Sequence, residues 1–115
     1  MSIVPTEDVE QMHLVMHCRS KGYKFFRVPN ETFTKSWNQK RKNKELGVVK
    51  GVPDLFVVAH GKLMAIEMKR VQGSTTSPEQ KEWVALLNSV GIPAKVCKGA
   101  EEAIKFIDEA RELEC

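Results

Sequence analysis

The stretch Gly51 to Arg70, GVPDLFVVAHGKLMAIEMKR, decides the fold. Two apolar runs flank a His60-Gly61 turn, and each run carries an acidic residue that a plain core strand excludes. A hairpin centred on that turn fixes the register, with Ala59 facing Lys62, Val57 facing Met64 and Asp54 facing Glu67. Directly opposed side chains have Cβ atoms about 4.5 to 5.5 Å apart, which is destabilising for two bare anions and suitable for two that share a divalent cation. Strand side chains alternate between faces, so Glu67 and Lys69 project the same way, their Cα atoms roughly 6.6 Å apart. Met68 between them points to the opposite layer. Asp54, Glu67 and Lys69 are therefore expected to converge on one patch. Magnesium suits it, because that ion binds through one or two carboxylates, keeps several waters and completes its octahedron with substrate phosphate.

The competing account is a surface hairpin with an ordinary cross-strand salt bridge. Both faces of these strands are otherwise apolar, Leu55, Val57, Ala59, Ile66 and Met68 on one and Phe56, Val58, Leu63 and Ala65 on the other. Such strands are central and covered, which argues against a solvated hairpin.

Working outward, Thr6 to about Ser20 reads as a helix, with Thr6 as N-cap, Glu7 and Asp8 in the first turn, and Gly22 as the stop. Val9, Met12, Leu14, Val15 and Met16 supply its apolar stripe. Glu7 and Glu10, three apart, lie close to one face, and either can reach the metal patch. His13 and His17 are four apart, but the residue after His13 is Leu14, where a zinc metalloprotease pattern needs glutamate. Tyr23 to Val28 is strand-like and ends at Pro29-Asn30. Phe33 to about Leu46 has helix-forming composition but too little apolar periodicity to bury a helix. Ser77 to Val90 is the best-marked helix, with Ser77 as N-cap, Pro78 at N1, Gln80 completing a capping box, Gly91 as C-cap and Pro93 beyond; Trp83, Val84, Leu86, Leu87 and Val90 form the expected buried face. Ala94 to Cys97 reads as a strand. Ala100 to about Leu113 reads as a closing helix with Ala103, Ile104, Ile107 and Ala110 inward. The alternation implies an α/β fold, a mixed sheet covered by helices.

With 115 residues and 42% hydrophobic content, the chain is expected to form one domain spanning 1–115. No apolar run approaches a membrane span, and the acidic early residues Glu7, Asp8 and Glu10 are unlike a secretory leader. Cys18, Cys97 and Cys115 are odd in number and scattered, offering neither a disulfide framework nor metal-ligand spacing. A reduced, cytoplasmic setting is expected. Net charge is only +3, yet positions 31–50 hold Lys35, Lys40, Arg41, Lys42, Lys44 and Lys50 against Glu31 and Glu45. The positive charge is thus local, as in a phosphate-contacting arm, with Trp37 as a candidate stacking residue. The alternative for this segment is an exposed polar helix.

Pro53-Asp54 followed by Glu67-Met68-Lys69 resembles the PD-(D/E)XK nuclease signature. The longer frame, from Gly51-Val52-Pro53-Asp54 to Ser77-Pro78-Glu79-Gln80-Lys81-Glu82-Trp83, is similar to the VRR-NUC family, the virus-type replication-repair nucleases, and it is the more specific of the two. The similarity runs from about Thr6 to about Ile107. It implies a restriction-endonuclease-like core, a third acidic site residue on the first helix, a supporting glutamine at Gln80, and cleavage to 3'-hydroxyl and 5'-phosphate ends.

The expected function is a magnesium- or manganese-dependent phosphodiesterase acting on DNA. Asp54 and Glu67 would hold the cation, joined by the Met68 backbone carbonyl and by Glu7 or Glu10, while Lys69 orients water or offsets charge. A domain with one metal patch cuts one strand per encounter, so paired incision needs a homodimer. Kinship of the fold with Holliday-junction resolvases points the same way, toward branched DNA. Two alternatives stand: a catalytically idle DNA-binding module, against which the intact Asp54, Glu67 and Lys69 set speaks, and a nuclease without branch preference.

Overall fold

The computed structural model describes residues 3–29 and 36–110. The elements follow in the order α1 (Glu7–Lys21), β1 (Lys24–Arg27), α2 (Trp37–Glu45), β2 (Leu55–Ala59), β3 (Lys62–Lys69), α3 (Pro78–Ser89), β4 (Ala94–Lys98) and α4 (Ala100–Glu109). The strands form one mixed sheet in the order β1-β2-β3-β4, antiparallel from β1 to β3 and parallel between β3 and β4. With its flanking helices this is the α/β, restriction-endonuclease-like core that the resemblance implied.

The hairpin has the expected register, Leu55 opposite Ile66 through Ala59 opposite Lys62. Its turn places both His60 (φ 55) and Gly61 (φ 75) in the left-handed region, the geometry whose twist matches that of the flanking strands. The paired ladder begins at Leu55, so Asp54 lies one residue beyond it. There its Oδ2 accepts a hydrogen bond from the Met68 backbone N at 3.2 Å. Asp54 and Glu67 therefore meet at the open end of the hairpin and not as a regular cross-strand pair.

β3 is central, bonded on both edges and buried on both faces from Met64 to Met68. One face carries the main core, in which Leu14 and Cys18 of α1 and Ala103 and Ile107 of α4 pack on Leu55, Val57, Met64, Ile66 and Met68. On the other face α3 packs over β3 and β4, with Leu87, Trp83 and Val84 against Ala65, Ala94 and Phe56.

The helix ends follow from local chemistry. Thr6 caps α1 through a bond from the Val9 N, and Gly22 (φ 75) stops it. Ser77 and Gln80 form the reciprocal capping box of α3, whose C-cap is Val90, with Gly91 following at φ 87. The buried faces differ from the apolar stripes. Met12 and Met16 of α1, and Leu86 and Val90 of α3, are exposed. α1 buries Glu10, Leu14 and Cys18 against the sheet and α4, a strip narrower than its apolar sector, and Leu87 is the buried residue of α3. His17 bonds Asp108 at 3.3 Å, tying α1 to α4, which gives it a structural role.

α2 begins at the Ser36 cap and buries none of its residues. It packs substantially on no other element, as its lack of an apolar stripe requires. Phe33, Lys35 and Cys115 lie outside the described residues.

Candidate active site

The hairpin's open end, the N-terminus of α1 and the first turn of α3 enclose a cleft of about 370 Å³. Its acidic wall is Glu7, Asp54 and Glu67, which bring one carboxylate oxygen each within 4.8 Å of one another. Its basic wall is Lys69 and Lys50, and Gln80, Ser77 and Thr75 line the remainder.

The loop into β2 is held here by Gly51. At φ +91, a Cβ on that residue would come 2.7 Å from the backbone carbon of Glu79 in the first turn of α3. Glycine is the residue that permits this approach, and the loop it holds brings both Lys50 and Asp54 to the cleft. Gln80 is held at the cleft by the cap, its Oε1 accepting from the Ser77 N at 2.9 Å.

Electrostatically the acidic wall is frustrated. Glu67 is 1% exposed, and its Oε1 is buried with no hydrogen-bond partner among the described residues. Burial first, then the hydrogen bond and the charge of Asp54, push its carboxyl up to about 9 against the opposing pull of Lys69. Glu7 is also raised, by burial and then by Asp54, with Lys69 and Arg27 acting the other way. A buried carboxylate oxygen without a partner beside two further carboxylates is costly as it stands, and it is the donor set that a hard divalent cation satisfies. The residues present fit such an ion.

Of the two helix glutamates, Glu7 is the one at the cleft. Glu10 is 7% exposed and turned away, its Oε1 accepting from the Ala100 N at 3.0 Å. Gly99, the N-cap residue of α4, offers no side-chain cap, so Glu10 supplies the acceptor from α1 and sets a negative charge at the positive end of the helix.

Of the basic residues, Lys50 is brought to the cleft. Lys40, Arg41, Lys42 and Lys44 stand on the exposed α2, where the Lys40 Nζ lies 5.3 Å from the centroid of the Trp37 ring, itself 81% exposed. Thr75 and the contribution of Arg27 were not anticipated. Thr75 sits in a loop without periodicity, and Arg27 acts from an edge strand through its charge alone.

A model of the VRR-NUC domain family matches residues 8–101. The chain belongs to the VRR-NUC family. A solved structure described as a VRR_NUC domain protein superposes with a TM-score of 0.79 at 26% identity, covering 97% of this chain and 93% of that one. No curated protein matches. Membership makes this a nuclease-type domain, and a nuclease domain binds nucleic acid. No helix among the described residues is long and apolar enough to cross a membrane.

Proposed function

We propose that this VRR-NUC chain is a magnesium- or manganese-dependent DNA endonuclease of the PD-(D/E)XK type. The observation that carries the proposal is the convergence of Glu7, Asp54 and Glu67, with an unpartnered Glu67 oxygen, beside Lys69 in one cleft. Glu7, Asp54 and Glu67 would hold the cation. When bound, it lowers the pKa of a water and polarises a phosphoryl oxygen.

The backbone carbonyl of Met68 is a further ligand candidate. Neighbouring residues on β3 turn their backbone groups to the β4 side, the Ala65 N to the Pro93 O and the Lys69 O to the Gly99 N. Met68 turns the other way, its N–H meeting Asp54, and its carbonyl leaves the strand on that same edge. Lys69 offsets negative charge that builds on the phosphate and orients the attacking water. Gln80 supports the cleft wall. Lys50 meets the phosphate at the cleft, and α2, with Lys40, Arg41, Lys42, Lys44 and Trp37, tracks the backbone further out, joined by Lys35.

Asp54→Asn and Glu67→Gln should each remove metal-dependent cleavage of linear, flapped and four-way DNA while binding is kept or strengthened, because removing one anion relieves repulsion of phosphate. Turnover retained in both variants would sink the metal-site reading.

The same proposal takes residues 1–115 as one nuclease domain acting as a cytoplasmic homodimer on branched DNA such as four-way junctions. Its support is that one cleft cuts one strand, and two-fold pairing sets two clefts at a fixed separation. Light scattering that returns the mass of a single chain at micromolar concentration, with equal cleavage of linear and four-way DNA, overturns this part and leaves the nuclease reading in place.

A further inference from the structure

The sheet face that carries Asp54, Glu67 and Lys69 is only half covered. α3 lies over β3 and β4 and reaches Phe56 of β2, and among the described residues no element packs substantially over β1 and Val58 on that face. Alternation along the strands puts Asp54, Phe56 and Val58 of β2 on this face, and the pairings of Phe26 with Phe56 and of Lys24 with Val58 add the matching residues of β1. Phe26 is 52% and Val58 44% exposed. The Phe26 and Phe56 rings are stacked, with centroids 5.2 Å apart and planes only 3° from parallel. The result is a parallel aromatic pair that begins one strand repeat, about 6.6 Å, from Asp54, with Phe26 its exposed member. Lys24, exposed on the same face, stands one repeat further on.

We infer that this open face, Phe26 and Phe56 with Val58 and Lys24, is a stacking platform for unpaired nucleotides of the DNA strand whose neighbouring phosphate lies at the carboxylate cleft. The inference rests on the nuclease reading for the position of that phosphate. Continuity and charge select the occupant. The platform adjoins the cleft through β2, where Phe56 stands one strand repeat from Asp54, so a strand bound at the cleft and leaving along β2 passes over it. A cation at its far end attracts phosphate.

The chemistry also restricts the substrate. Every base has a π-face to offer an aromatic ring, but in an unbroken duplex those faces are already stacked on each other. The platform therefore favours DNA with unpaired bases beside the scissile phosphate, such as a flap, a fork or an opened junction.

The test is equilibrium binding, without divalent metal, of a labelled single strand and of a blunt duplex of the same sequence. Phe26→Leu keeps apolar bulk at an exposed edge-strand position but removes the ring, and Phe26→Ala removes both. Each should weaken single-strand binding about 5- to 100-fold, with a far smaller loss on duplex, and Phe26→Tyr should restore it. Met16→Ser, an exposed apolar change on α1 at the opposite face, should alter neither affinity. Equal losses on the two DNAs, no loss on the single strand, failure of the tyrosine rescue, or a fall from a dimeric to a monomeric mass in Phe26→Leu each overturns the inference, the last because a second copy then covers the face. The two readings fail separately. Phe26-dependent single-strand binding in a protein that cleaves no DNA with magnesium or manganese leaves the platform standing and removes the nuclease, and metal-dependent cleavage without Phe26 dependence does the reverse.

Discussion

Glu67→Gln should stabilise the metal-free protein at alkaline pH while it abolishes cleavage. In the folded chain the Glu67 carboxyl is raised from an ordinary 4.5 to about 9, chiefly by burial and then by Asp54. Between those values the folded state holds a proton that the unfolded chain has released, so stability falls as pH rises. Below the lower value both states are protonated and the effect vanishes. One proton corresponds to about 1.4 kcal/mol per pH unit, so raising the pH from about 6 to about 8 costs on the order of 3 kcal/mol. For a domain of this size that lowers the melting temperature by on the order of 10 °C. Glutamine cannot ionise and removes this slope.

The assay is thermal unfolding of both proteins in a chelator across that range, read as the difference between them so that titrating groups remote from the cleft cancel. A cation at the cleft reverses the sign for the native protein, since binding displaces the proton and adds about 2.7 kcal/mol when the ion is about a hundredfold above its dissociation constant. The glutamine variant should lose most of that shift. Parallel pH slopes in the chelator, or equal stabilisation of both proteins by magnesium and manganese, would refute the reasoning.

The two glutamates of α1 should separate by phenotype. Glu7→Gln should raise the metal concentration needed for cleavage with little change in melting, whereas Glu10→Ala should cost about 1 to 3 kcal/mol by stranding the Ala100 N–H and leave the metal requirement alone; exchanged phenotypes would invert the assignment. Neutralising Lys40, Arg41, Lys42 and Lys44 should weaken DNA binding regardless of sequence and flatten its salt dependence by up to about 0.9 per lost phosphate contact. An unchanged slope in a salt titration would leave α2 as a solvated helix.

What could be read from the chain was the chemistry that acts locally. The His60-Gly61 turn imposes the register of β2 on β3, and the caps at Thr6 and Ser77 start α1 and α3 where the structure has them. Burial was less legible, because it depends on what a helix meets. Met12, Met16, Leu86 and Val90 satisfy helical periodicity, yet a sheet of four strands with α4 beside α1 offers each helix only a narrow contact strip. The open β1–β2 face has the same origin. Alternation marks Phe26 and Val58 as candidates for cover, but only the position of α3, over β3 and β4 and reaching no further than Phe56, reveals that they lack it.

The choice between Glu7 and Glu10 shows where a local reading stops and what would have extended it. Residues three apart differ by about 4.5 Å along the helix axis and lie near each other in azimuth, so a helical wheel assigns them to one patch. The axial step decides, since the first turn of α1 overhangs the end of the hairpin and the next turn lies beside the start of α4. A clue to this second partner is present in the sequence at Gly99-Ala100. A helix beginning after glycine, with no Ser, Thr, Asp or Asn to accept its first N–H groups, needs an acceptor from elsewhere, and inside a packed core that acceptor is best an anion. Pairing an uncapped helix start with a surplus acidic residue on an adjacent helix would have assigned Glu10 to α4. Glu7 would then have remained as the glutamate available to the cleft.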